Sequence, residues 1–354
     1  VLFTFPHLAL AETLLLSGLL ALLRAWETDG ADARLVTDNP RLLVDFGRHV
    51  LSWARWRAAL LPGLLWLLMG MIVPFYPAVA WTVAGAAWIV MTVRERRLCW
   101  REGYTAALSI LISAPIVVYG AWRFASHPVY ATWEAQSRIL SPHPLHYVAA
   151  YGLLLALATF AAKDAWHSKK PAWLAMTWVC LVPLLIYMPI NAQRRFLVGA
   201  QVPLSLLAAK GLVKITNLES KASSVKAKLA TATVLLMLLP TNLLLITEST
   251  VALRGQPSPV FRDRDETLAM DWLSQRVSPS DAVLASFETG TYLPARAVVR
   301  VFVGQGPETV DAEQKREQVA EFFDAATPDD WRRDLLARYA IDYVFWGPAE
   351  RDLG

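Results

Sequence analysis

Runs of about 16 to 22 mostly apolar residues recur through roughly the first 250 positions of this 354-residue chain, and that recurrence narrows what it can fold into. A backbone inside hydrocarbon has no water to bond, so each run must satisfy its own amides as a helix. We read about eight such runs, at 2–23, 58–73, 78–93, 104–121, 146–162, 173–190, 196–212 and 229–246. The chain is 55% hydrophobic and 18% charged, and the apolar excess is clustered rather than spread. The expected fold class is therefore an α-helical polytopic membrane bundle of about eight transmembrane helices over 1–250, followed by a small α/β extracytoplasmic domain over 251–354. Val1 begins inside an apolar run with no basic segment before it, so we expect upstream spans and read no signal peptide. The run before Gly354 has no clear ending, so more chain is expected there too.

Charge sets the expected orientation. Alternate loops at 24–57, 94–101, 163–170 and 210–228 hold about 18 Lys and Arg, against about 4 in the loops at 74–77, 122–145 and 191–195. The first set is expected on the cytoplasmic side of a plasma membrane, the second set and the C-terminal domain outside. Trp53, Trp56, Trp122, Trp166 and Trp173 fall near span ends, where amphipathic rings settle. The basic groups are accounted for by topology, so no nucleic-acid partner is expected.

After Ile246 the chain turns acidic, with about 12 basic and 19 acidic residues to the end. Gly255, Pro257 and Pro259 mark a linker. Helices are expected at 267–277, 310–323 and about 328–339, with Thr327 as a cap and Pro328 in the first turn of the third. Strands are expected at 282–286, 297–303 and 341–346. No Gly-rich phosphate loop is present. Cys99 and Cys180 are too few and too far apart for a disulfide framework or a zinc site.

Ionisable groups within spans are costly and become candidates for function. His7 and Glu12 share a broad face of the first span; the plain alternative is bonding to neighbouring helices or a wet cavity. The 122–145 loop carries Glu134, which can act as a base, a metal ligand or a hydroxyl partner. His127, His143 and His146 match no zinc spacing, so no metal site is assigned, and solvated loop residues are their plain reading. Asn191-Ala192-Gln193-Arg194-Arg195-Phe196-Leu197 places two adjacent arginines against the charge bias, and guanidinium forks grip phosphate oxygens. Snorkelling to ordinary headgroups, or pairing with a loop acid, is the alternative.

The layout, the stretch YMPINAQRRFL at 187–197 and the run DWLSQRVSPSDAVLASFETGTYLPARAVVRVFVG at 271–304 resemble the GT-C superfamily of integral-membrane glycosyltransferases, in particular the dolichyl-phosphate-mannose-transferase-like members. The resemblance implies transfer of a sugar from a polyprenyl-phosphate carrier to a glycan, lipid or protein acceptor at the outer face. It implies phosphate binding by Arg194 and Arg195; Gln193 beside them, and His7 and Glu12 as ionisable groups within a span, are further substrate-binding candidates from the residues themselves. It also implies a second outer-loop role for Glu134, the main catalytic carboxylate lying upstream of Val1. No cofactor follows, and a divalent metal stays open because members differ. The alternatives are a polysaccharide polymerase or ligase using a polyprenyl-linked donor, a transporter, and a membrane scaffold. No inverted repeat of the kind a transporter carries is visible.

Overall fold

The structure is a computed structural model that describes residues 6–33, 53–167, 170–216, 225–255, 258 and 261–354. The start of the first expected span, most of the 24–57 loop, part of the 163–170 loop, the middle of the 210–228 loop and half of the 254–259 linker lie outside the described residues. The chain divides into two compact units: Val1–Ser126 with Arg138–Val234, and His127–Ser137 with Leu235–Gly354.

The first unit is helical. Its elements are α1 (Pro6–Ala33), α2 (Trp53–Ile72), α3 (Tyr76–Glu95), α4 (Trp100–Ser126), α6 (Pro144–His167), α7 (Lys170–Ile186) and α8 (Gln201–Thr216), with a 3-10 turn at Gln193–Leu197. Among the described residues four helices, Pro6–Glu27 of α1, α3, α4 and α6, are long and apolar enough to cross a membrane. Trp56–Ile72 and Ala172–Ile186 are apolar but shorter.

Three hydroxyls inside this bundle find partners, whereas the buried indole N–H groups of Trp66 and Trp178 have none among the described residues. Thr105, Ser109 and Ser113 of α4 repeat every fourth position, so they share one face, and all three are fully buried. Each hydroxyl donates to the carbonyl four residues back, on Arg101, Thr105 and Ser109, at 2.9–3.1 Å. Ser109 Oγ also lies 3.2 Å from the Ala59 carbonyl of α2, and the Trp81 indole of α3 donates to Ser113 Oγ at 2.9 Å. Small hydroxyl residues thus let helices approach closely while leaving no buried donor open. The Trp26 indole closes the core toward the other end by donating to the Glu102 carbonyl at 3.0 Å. Beyond that end, burial pushes the Cys99 thiol up to about 11, so it stays protonated and inert.

The α6–α8 pair forms the most extensive helix interface. It closes on Gly211, where a Cβ would stand 1.8 Å from the Leu157 carbonyl oxygen.

The second unit gathers segments distant in sequence. It includes α5 (Pro128–Gln136), the end of α9 (Val225–Leu238), α10 (Pro240–Arg254), α11 (Arg264–Ser274), β1 (Ala282–Leu284), α12 (Phe287–Tyr292), β2 (Arg300–Val301), α13 (Ala312–Phe323), α14 (Asp329–Arg338), β3 (Tyr343–Val344) and α15 (Pro348–Arg351). The strands form a parallel sheet in the order β2-β1-β3. Alternation along β1 divides the core: Val283 packs with Met270 and Leu273 of α11, Leu284 with Phe322, Phe323 and Leu335 of α13 and α14. Helices therefore cover both faces, as a parallel sheet requires. The strands are shorter than the sequence suggests, and 287–292 is a helix that the sequence reading leaves as loop. Ser286 starts it by accepting from the Thr289 amide at 3.2 Å. Thr327 does not cap α14. Its hydroxyl donates to the Glu321 carbonyl at 2.6 Å, and Pro328 holds the cap position. Buried Glu350 accepts from the Ser286 and Gly347 amides at 2.8 and 2.9 Å, tying the chain after β1 to the chain after β3.

The 122–145 segment is not one loop. α4 continues to Ser126, and 127–137 joins the second unit. There the Trp133 indole donates to the Glu308 carbonyl at 2.8 Å. The Gln136 amide donates to the Pro307 and Thr309 carbonyls, both at 2.9 Å, and accepts from the Ala312 amide at 3.3 Å. The expected 229–246 run is two helices. Pro240 has no N–H for the Leu236 carbonyl, which accepts from the Leu239 amide at 3.2 Å instead. Around this break Leu235, Leu236, Met237 and the run 243–246 are each 54–65% exposed, so the protein leaves a wide apolar surface uncovered.

Gly211→Ala should cost about 1–3 kcal/mol, because the group it meets is backbone. A lowered unfolding midpoint of the full chain in detergent checks this, and an unchanged midpoint would mean that α6 and α8 separate freely. Gln136→Ala should cost about 1 kcal/mol and raise amide exchange across 307–312. Equal exchange there would show that α5 is no working part of the second unit.

Candidate functional site

The arginine pair sits in the 3-10 turn at Gln193–Leu197, between the end of α7 and the start of α8. The turn exists because α7 stops. Pro183 lies in its last turns and α7 ends at Ile186, so carbonyls there lose their helical partners. The chain then supplies replacements from the segment 138–142. The Ile139 amide donates to the Asn191 carbonyl at 2.7 Å, and the Arg194 amide donates to the Ile139 carbonyl at 3.2 Å. Ser141 is the hub. Its amide donates to Gln193 Oε1 at 3.0 Å, its hydroxyl donates to the Ile186 carbonyl at 2.5 Å, and the Tyr147 hydroxyl donates to Ser141 Oγ at 3.1 Å. The Tyr187 hydroxyl donates to the Pro142 carbonyl at 2.7 Å, and the rings of Tyr147 and Tyr187 meet edge to face at 6.3 Å. The segment 138–142 is thus a strap that fixes the arginine turn.

On the other side, buried Phe196 anchors the turn in the bundle core. Gly199 follows with φ near +70°, a conformation suited to glycine. A Cβ there would press on the Trp178 ring at 3.0 Å and on Leu15 at 3.1 Å. The turn is held between the strap and the α1–α7 wall, and both arginine side chains point outward and are exposed.

The Arg195 guanidinium lies over the Phe75 ring at 5.2 Å, a cation–π contact that orients the cation without neutralising it. Phe75 in turn meets Tyr76 edge to face at 5.3 Å and Phe196 at 6.3 Å. Among the described residues no carboxylate forms an ion pair with Arg194 or Arg195. Pairing with a loop acid is therefore not what holds them there.

A partly open cavity of about 110 Å³ lies beside the same turn. Tyr147, Tyr151 and Leu155 of α6 line it, with Val179, Val182, Pro183 and Ile186 of α7, Leu197 of the turn, Ala200 just before α8, and Gln201 and Leu204 of α8. The lining is apolar apart from the Gln201 amide and the tyrosine hydroxyls. Pro183 leaves the Val179 carbonyl without a helical donor. The volume is well below the roughly 300–1,000 Å³ that encloses a drug-sized ligand, so the space suits one stretch of a chain.

Gln193, Arg194 and Arg195 stand together in this turn, and Glu12 stands half-buried on α1. His7 is exposed on α1 and already has a partner. Glu134 is exposed on α5 and belongs to the second unit. His143 and His146 serve their own turn: His143 Nδ1 accepts from the Leu145 amide at 3.3 Å, and His146 Nδ1 lies 3.2 Å from the His143 carbonyl. Among the described residues no three His, Cys, Asp or Glu side chains gather as metal ligands. The sequence reading missed Ser141, Tyr147, Phe75 and Tyr76. Tyrosines beside an arginine-bearing turn were the available signal for Tyr147, and the aromatic pair inside the 74–77 turn was the signal for Tyr76. In comparisons with known proteins, no family model matches the chain and no curated protein is significantly similar to it in sequence.

Gln193→Ala leaves the Ser141 amide without its acceptor and should cost about 1 kcal/mol, with faster amide exchange over 138–142. Gln193→Glu keeps an acceptor oxygen and should retain the protection. Equal exchange in both variants and the parent would dismiss the strap as a support of the turn.

Proposed function

We propose that this chain is a multi-pass membrane glycosyltransferase that takes a sugar from a polyprenyl-phosphate carrier, with the arginine turn gripping the carrier's phosphate. The observation that carries this reading is the juxtaposition of two exposed arginines, without an ion-pair partner among the described residues, with an apolar cavity lined by Leu197 of the same turn. A ligand matching both parts has an anionic head and a hydrocarbon tail. Guanidinium forks recognise phosphate oxygens, and the cavity takes a segment of tail. The charge bias of the loops supports placing this turn and the second unit on the extracytoplasmic side of the plasma membrane, where lipid-linked sugars meet their acceptors. The uncovered apolar surface of α9 and α10 supports one further crossing there, and eight crossings in all.

Chemically, an acceptor hydroxyl replaces the phosphate oxygen at the anomeric carbon, its proton passes to a base, and the lipid phosphate leaves as an anion. Arginines already in place stabilise that leaving charge without reorganising, which is where an electrostatic site gains most. The acceptor is a glycan, a lipid or a protein, and nothing in the site demands a metal ion.

The test is binding and transfer with the full chain in nanodiscs and a labelled polyprenyl-phosphate sugar. Saturable binding, weakened about tenfold or more by each of Arg194→Ala and Arg195→Ala, and sugar release abolished in the double variant, are expected. Turnover that survives in a folded double variant would remove the arginines from the site. Transmembrane movement of an intact donor without release would assign a transporter instead.

A further inference from the structure

The parallel sheet of the second unit sends its first two connections to opposite faces. After β1 the chain passes through α12 to Leu293 and Ala297, which pack with Val283 on the α11 face. After β2 it passes to α13 and α14, whose Val319, Phe322 and Leu335 pack with Leu284 on the other face. β1 and β2 are neighbours, and where the connections of adjacent strands part in this way an open α/β sheet receives its ligands, outside the carboxyl ends. The two departing backbones touch at Gly290, where a Cβ would stand 2.0 Å from the Val303 carbonyl oxygen. Two consecutive cations of α13 lie at the same end. The Arg316 guanidinium stacks on Phe287, three residues beyond β1, at 3.7 Å, and the Lys315 ammonium stands 5.3 Å from the centre of the Phe302 ring, directly after β2. Phe287 and Phe302 belong to one core cluster, so both cations cover one apolar floor. Among the described residues neither forms an ion pair, whereas Arg262, Arg296, Arg332, Arg333 and Arg338 of the same unit each hold a carboxylate. The Nε of Arg316 is buried and has no acceptor among the described residues, a costly state for a charged donor. Burial also pulls the Lys315 ammonium below its ordinary range, against the opposing pull of Asp311.

We propose that Arg316 and Lys315 form an anion site at the carboxyl end of this sheet, one that takes a phosphate monoester. The guanidinium fork meets two phosphate oxygens, the ammonium adds a point charge, and two positive charges match the dianion. The aromatic floor orients the cations without neutralising them, because a ring offers a quadrupole and no full negative charge. A carboxylate presents the fork with the same two oxygens but half the charge, so it is the weaker fit. Exposed Glu288, Glu308 and Asp311 on the same connections repel anions that only one cation holds, which sharpens the choice. The site lies in the second unit and does not depend on what the arginine turn of the first unit binds.

The experiment titrates the full chain in phosphatidylcholine nanodiscs with glycerol phosphate, with inorganic phosphate and glycerate as separate arms, and repeats the titration in the Arg194→Ala, Arg195→Ala double variant. Binding is read by calorimetry and by amide exchange over 287–292 and 312–318. The parent and the double variant should bind glycerol phosphate equally, with exchange slowed in both stretches. Arg316→Met and Lys315→Met keep an unbranched chain over each ring and should leave the unfolding midpoint unchanged, yet each should weaken glycerol phosphate about tenfold or more. Tighter binding of glycerol phosphate than of inorganic phosphate supports the site and assigns it to an ester; equal binding supports it and assigns it to phosphate alone. Unchanged affinity in both folded methionine variants overturns the proposal, because cations that merely cover the rings leave ligand binding unmoved. Binding that disappears in the arginine-turn double variant places the anion there and overturns it too. Saturation by glycerate alone, or by none of the three ligands, does the same.

Discussion

The carbonyls set free at the end of α7 govern the geometry of the arginine turn. A helix that stops inside apolar surroundings leaves its last carbonyls without donors, and an unpaired one costs more than the hydrogen bond itself is worth. Pro183 advances that problem by removing an N–H within the helix. The solution is local and specific: Ser141 reaches the Ile186 carbonyl, Gln193 takes the Ser141 amide, and Ile139 pairs on both sides of the turn. A loop carrying two adjacent arginines is thereby tied by hydrogen bonds to the segment 138–142.

The same rule governs the hydroxyls of α4. Thr105, Ser109 and Ser113 carry hydroxyls into a dry core, yet each bonds the carbonyl one turn back, and Trp81 also uses one of them to join two helices. Where the chain cannot supply such partners, it breaks where an amide remains to help, as Leu239 does beside Pro240. In the second unit a buried carboxylate plays the part that serines play in the first. Glu350 collects two amides beyond the carboxyl ends of β1 and β3, where short strands alone would leave them open.

Two chemistries are kept apart in this chain. The first unit holds its cationic pair beside an apolar cavity. The second is acidic overall and uses several of its arginines in local pairs, among them buried Arg262 with Glu266 at 2.5 Å and Arg296 with Asp271 at 2.7 Å. Arg194 and Arg195 differ from these in having no such carboxylate among the described residues. Arg195 lies instead over the Phe75 ring.

The recurrence of apolar runs by itself determined that much of the chain would be helical, because hydrocarbon-length segments have no other way to satisfy their backbone. The change to an acidic composition announced a different second region, and the Gln193-Arg194-Arg195 motif stood out because its charge opposed the loop bias. Other features were decided only in three dimensions. Sequence spacing could not show that 127–137 belongs with 235–354, since the Gln136 amide finds backbone groups some 170 positions away. Nor could it bring Phe75 and Tyr76, in a turn that reads as mere punctuation, next to Arg195. Helical periodicity is a local property carried by neighbouring residues, whereas the partners of open carbonyls, hydroxyls and guanidiniums are chosen by packing between segments far apart in the chain.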